Sequence, residues 1–323
     1  MEKTRKWRWG VNRWIVLGLI ILSVVATKIA APPVQPSIQV AAENVSHHPL
    51  FTLPFVGDFY LTNTMVAMLL MDVVILLIAF AVKRATSSKN LAPKGIAAVM
   101  EMAVEAMYNL TETTAGKWTK KIFPWFATIL ILVLFANLLK LLPGFESIGL
   151  LEESSKGVGI TAIGGHWYTL NPSVTSGETY IVAPFIRGLS TDLNFTLALA
   201  LIAVVMTQII GVEALGIRYF SKFLNFTTMF KKPFLGFMDF LVGLLEIISE
   251  FSKILSFTFR LFGNMFAGMV LMALVGAMVP IFVPSMIMAF ELFIGAIQAF
   301  VFGMLTMVFM AQATQGHSEE AHS

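Results

Sequence analysis

Pro233 and Pro280 enclose 46 residues that contain no other proline and are mostly apolar. As a helix this run would measure roughly 69 Å at 1.5 Å per residue, more than twice the hydrocarbon thickness of a bilayer. It must therefore be steeply tilted, broken or folded as a hairpin, with the two prolines marking its start and stop. Other apolar runs lie at Leu61 to Val82, interrupted by Asp72, at Ile122 to Leu142, with Asn137 and Lys140 near its end, at Leu193 to Leu215, and from about Met286 to Ala311. Each can cross a membrane as a helix. A shorter run, Trp14 to Ala31, follows the basic stretch MEKTRKWRWGVNR and reads as a signal peptide or an anchor. Hydrophobic residues form 57% of the 323-residue chain and charged ones 13%, against about 25% in soluble domains, so two soluble domains are excluded. A disordered tail protein and a nucleic-acid binder are excluded with them. With no cysteine there is no disulfide scaffold and no thiolate metal site.

The fold class expected is all-α: a polytopic membrane protein of five core transmembrane or tilted helical elements, the fifth long and tilted, plus the N-terminal signal or anchor helix. The segment from Lys94 to Thr114 differs. Met100, Val104 and Met107 face one way and Glu101, Glu105 and Glu112 another, which fits a surface helix or a short hairpin. Basic residues set the orientation: segments 1–13, 83–121 and 216–232 hold sixteen, while 32–60 and 143–190 hold two, Lys156 and Arg187. Both ends are therefore expected in the cytoplasm, with 32–60 and 143–190 outside and the Gly-rich stretch from Gly164 to Gly177 in an external loop. The chain divides into 1–31, the external segment 32–60, a membrane domain 61–312 and a polar cytoplasmic tail 313–323.

A few charges remain inside the apolar helices, where ionisable groups are costly and functional by default. Glu246, Ser249, Glu250, Lys253, Ser256, Arg260 and Asn264 follow one another by steps of three, one, three, three, four and four, a stripe down one helical face. Such a stripe faces protein or water. Arg260 lies midway in the run, at least ten residues from Glu246 and Glu250, so an ion pair with either or snorkelling to an interface fits it poorly. Glu246, Glu250 and Lys253 can neutralise one another. Glu291 and Gln298 stand two turns apart on one face of the last span, and a buried Glu291 suits a proton relay. Asp192 and Asn194 open the fourth span, where Asp192 could equally cap the helix. Two polar half-paths separated by a permanent cation would carry ions without leaking. No partner carboxylate for Arg260 is evident in the chain, which implies another subunit.

LSFTFRLFGNMFAG (255–268) resembles the signature of the a subunit of the F-type ATP synthase membrane sector. IQAFVFGMLTMVF (297–309), TDLNFTLALAL (191–201) and FANLLKLLPG (135–144) resemble the same family's last, fourth and third spans, and the Glu246, Ser249, Lys253 spacing agrees. The resemblance covers residues 45–312. It implies a non-catalytic stator in a bacterial plasma membrane, facing a ring of c subunits, with b-type peripheral stalk subunits and the rest of the synthase as partners. It further implies that Arg260 is the essential arginine. Asn264, Glu291, Gln298, Asp192 and Asn194 then belong to the outer half-channel. Glu246, Ser249 and Ser256 belong to the cytoplasmic side, and Glu250 is read with them as an acceptor of the leaving proton. Gly263, Ala267 and Gly268 would allow close approach to the rotor. Where many relatives carry an ionisable residue after this stretch, Met269 stands here, leaving Glu291 to carry the outer relay.

No GxxxxGK[ST] loop is present to hold phosphates, and no cofactor or metal is expected. His47 and His48 make an unpromising metal pair, and His317 and His322 lie in the polar tail. The 19 methionines suit adaptable packing. A secondary transporter or channel working without partners is the rival reading. The absence of an internal repeat weakens the transporter form of it.

Overall fold

A computed structural model describes residues 9–30, 40–46, 48–54, 57–86, 95–142, 145–146, 148–165, 167–171, 174, 177–223, 233–279 and 282–315. His47, the C-terminal histidines, residues 1–8 and residues 224–232 of the basic segment 216–232 lie outside them. Among the described residues, seven helices dominate: α1 Trp9–Ala30, α2 Asn63–Thr86, α3 Ile96–Ala115, α4 Thr119–Leu139, α5 Leu193–Leu215, α6 Pro233–Met278 and α7 Phe282–Ala313. Among the described residues, five helical stretches are long and apolar enough to cross a membrane, at 63–84, 97–139, 193–220, 240–278 and 283–313. The chain is a multi-pass membrane protein. In α1 the apolar stretch Arg13–Leu22 falls short of a span.

The 46-residue run forms one continuous helix, α6, so the broken and hairpin alternatives are set aside. Pro233 is its first residue, where a missing N–H costs nothing. The Lys94 to Thr114 segment is one largely exposed helix, α3, and not a hairpin in itself. Gly116 turns the chain at φ 51°, α3 folds back on α4, and Tyr108 meets Phe123 edge-on at 5.3 Å between ring centres. Lys94 itself lies outside the described residues.

The chain separates into two units. One comprises 64–140, 188–265 and 295–323. Its core gathers Ile122 and Phe126 of α4, Ile210 of α5, and Met307, Met310 and Ala311 of α7. Asn137, 1% exposed, donates from Nδ2 to the Gly295 carbonyl at 3.0 Å, and a side chain at Gly295 would press on it. This amide binds α4 to α7 where an apolar residue could not.

The other unit comprises 1–63, 141–187 and 266–294, and here the expectation of plain external loops is corrected. Strands β1 Phe51–Leu53 and β2 Gly57–Phe59 form a hairpin whose Phe51 and Phe59 rings stack at 4.6 Å. Strand β3 Gly149–Val158 pairs antiparallel with β6 Tyr180–Pro184, and β4 Ile160–Gly164 with β5 Trp167–Leu170. Runs such as WYTL and YIVAP carry the aromatic and β-branched residues that a pleated ribbon favours. Arg187, read as a loop charge, is 5% exposed and donates to the Ala41 carbonyl at 2.6 Å. Asn63 at the head of α2 exchanges backbone and side-chain bonds with Glu43. Burial raises the Glu43 carboxyl above its ordinary value, Arg187 pulls it back and Glu152 adds to the rise. Tyr180 is half-buried, and its hydrogen bond to Glu178 is the main cause pushing the phenol up to about 12.

Candidate functional site

α6 has two neighbouring faces. Glu250, Phe257, Thr258, Leu261 and Met265 are buried, with Phe257 packed on the Phe302 and Phe309 rings at 4.7 and 5.8 Å. Most of the polar stripe sits about 100° away, one residue round the helix. Along it Glu246, Lys253 and Arg260 are half-buried, while Ser249, Ser256 and Asn264 are exposed. The stripe thus runs along the edge of the packed face and opens outward. Arg260 donates from Nη2 to Ser256 Oγ, one turn earlier, at 3.1 Å. Among the described residues it forms no ion pair. Gly263, next to it, faces open space.

Glu250, one residue off the stripe, turns inward to a different environment. Its Oε1 accepts from Lys253 Nζ at 3.0 Å and its Oε2 from Gln208 Nε2 of α5 at 2.9 Å. Gln208 Oε1 in turn accepts from the Tyr219 hydroxyl at 2.6 Å. Tyr219 belongs to the short 3-10 turn Gly216–Lys222 and is 2% exposed. Its ring fits because position 211 of α5 is glycine, where a Cβ would collide with it. Lys253 lies over the Phe309 ring, 4.9 Å from its centre. The cluster therefore joins α5, the turn, α6 and α7. The expectation that Glu250 and Lys253 neutralise each other agrees with this geometry. Gln208 and Tyr219 escaped the sequence reading. The available signal was an amide in an apolar span, which needs a partner there.

Asp192 caps α5: 4% exposed, it accepts from the Asn194 backbone N–H at 2.9 Å. That is the capping alternative, and it leaves the Asn194 residue exposed. Beside it the buried Ser190 hydroxyl has no hydrogen-bond partner among the described residues. In the other unit Glu291, 6% exposed, lies against Gly268, where a Cβ would strike its Oε1. Gly268 thus makes room for a carboxylate of its own chain, a use that the expectation of close approach to a rotor did not include. Gln298 is half-buried on α7. The structure accordingly brings together Arg260 with Ser256, Glu250 with Lys253, and Asp192 with Asn194. No group of three or more His, Asp or Glu stands ready for a metal ion among the described residues.

The family described as ATP synthase A chain matches residues 65–311. ATP synthase subunit a of Moorella thermoacetica is 26% identical over 76% of this chain and 88% of its own length. That of Geobacter sulfurreducens is 29% identical over 74% and 81%. ATP synthase subunit a 1 of Syntrophotalea carbinolica is 28% identical over 87% and 91%. The match runs from the start of α2 to the end of α7, and so takes in Arg260, the Glu250 cluster and the Gly268–Glu291 contact. With most of its length matched, the chain belongs to the ATP synthase A chain family.

Proposed function

We propose that the chain is the proton-conducting stator of a rotary F-type ATP synthase, coupling proton flow to rotation of a c ring and so to ATP synthesis. The observation that carries this reading is the half-buried Arg260, free of ion pairs among the described residues, in an outward-opening polar stripe on a long apolar helix. A proton enters from outside past Asp192, Asn194, Glu291, Gln298 and Asn264 and neutralises a ring carboxylate. That carboxylate then crosses lipid at lower cost. After most of a turn it reaches Arg260, releases its proton toward Glu246, Ser249 and Glu250, and pairs briefly with the guanidinium. Arginine stays charged at any accessible pH, so it blocks a direct leak between the half-paths.

The membrane domain spans 61–312, with α6 lying tilted against the ring. Residues 1–31 form a basic N-terminal signal or anchor helix, 32–60 face outward, and 313–323 form a polar cytoplasmic tail of a bacterial plasma-membrane protein. Partners are the c ring, b-type peripheral stalk subunits and the catalytic head, where ATP chemistry takes place. Arg260→Lys should abolish coupled transport, because lysine can lose its proton. If inverted membrane vesicles carrying that change pump protons at the normal rate, the mechanism fails.

A further inference from the structure

We propose that Gln208 and Tyr219 are positioning residues for proton exit, holding Glu250 as a fixed acceptor so that Glu246 and Ser249 carry the proton past it. The inference rests on the reading just given and narrows it, since Glu250 becomes an anchor beside the path.

Tyr219 has one hydroxyl proton, directed at Gln208 Oε1 over 2.6 Å. With its oxygen accepting, the amide presents Nε2 to α6, and a donor is what the Glu250 carboxylate can use. Both carboxylate oxygens then have donors, Gln208 on one side and Lys253 on the other, at a residue only 9% exposed. A carboxylate held at both oxygens is not free to swing toward the stripe. A side-chain amide is neither acid nor base in the physiological range, so the Tyr219–Gln208–Glu250 chain orients without passing a proton. Two further features fix the clamp: the glycine at 211, which admits the Tyr219 ring, and the Phe309 face beneath Lys253. Removing one partner of such a buried charge costs far more than the pair contributes. Glu250 bonds Lys253 on its own helix, Tyr219 stands beyond the amide, and Glu246 lies one turn earlier on the same helix.

The test uses the whole complex in inverted vesicles, reading proton flux per assembled complex against the pH of the cytoplasmic side. Glu250→Gln should lower flux only severalfold, far short of the collapse under Arg260→Lys. Gln208→Leu should lower it about tenfold, on the order of one lost bond to a charged group. Its pH profile should depart from the wild type, because the carboxylate is no longer held in one place. Tyr219→Phe, which frees the amide to flip, should fall between. The double variant Gln208→Leu with Glu250→Gln should recover most of the flux and a wild-type pH profile. The proposal is overturned if Glu250→Gln is as inactive as Arg260→Lys, or if the double variant gains nothing over Gln208→Leu. It is also overturned if the single variants change only how much complex assembles. A normally pumping Arg260→Lys would instead sink the stator reading itself, so the two failures are distinguishable.

Discussion

Glu250 and Arg260 sit ten residues apart on one helix and live under different rules. Glu250 faces inward, with donors from two helices on its two oxygens. Arg260 stands at the edge of the packed face, its hydrogen bond going to a neutral hydroxyl one turn away. A charge packed among the chain's own helices must be satisfied there, because an unpaired buried charge is too costly. A charge at the edge can wait for a partner that arrives from elsewhere. On the proposed reading the same helix carries a structural charge and a working one, about 80° of rotation apart.

Substitutions at the two sites should separate these roles. Arg260→Lys should have the largest effect, a loss of coupled pumping by two orders of magnitude or more with normal assembly, as pumping assays and the amount of chain in the membrane would record. Next comes the packing that supports Glu250. Gly211→Val drives a side chain into the Tyr219 ring, and overpacking of this kind costs about 1–3 kcal/mol. Here assembly and thermal resistance of the complex should fall together with flux, unlike at Arg260. Asn137→Leu removes the donor to the Gly295 carbonyl and should cost about 1 kcal/mol, seen as a lower midpoint in thermal aggregation.

Glu43 offers a milder case of a charge held indoors. Its folded-state carboxyl is raised above the ordinary value of 4.5, so the ionised form costs stability as pH rises through that window and beyond it. Glu43→Gln should then protect segment 40–63 slightly better against proteolysis at neutral pH. The advantage should vanish below pH 4.5, where the wild-type group is already neutral. A larger benefit at low pH would contradict the assignment. The smallest effect belongs to Lys121→Met, which breaks the ion pair with Glu213. Both side chains are about half exposed, and such pairs contribute less than about 1 kcal/mol. Assembly and flux should stay near wild type.

Much of the architecture was legible because apolar length is a direct statement about a membrane. Val82 and Leu215 mark span ends that lie within a few residues of α2 and α5. The stripe on α6 followed from its spacing alone, since every helix with that spacing places those residues on one side. The external segments were less readable. Their strands pair residues such as Gly149 and Pro184, far apart in sequence, and such pairing leaves only weak local traces. Arg187 is the clearest example. Its charge counted toward orientation, yet its burial against the Ala41 carbonyl depends on a contact 146 residues away.

By itself, then, the sequence determined a multi-pass helical protein, the long apolar run between Pro233 and Pro280 and the line of polar residues along it. These depend on hydropathy and on a fixed helical period, both local properties. Tertiary structure decided what each of those residues does. It turned Glu250 inward onto Gln208 and Tyr219, left Arg260 at the edge, and set Gly268 against Glu291. The physical reason is that a spacing fixes the face on which a residue lies. Only the packing of distant segments fixes what that face meets.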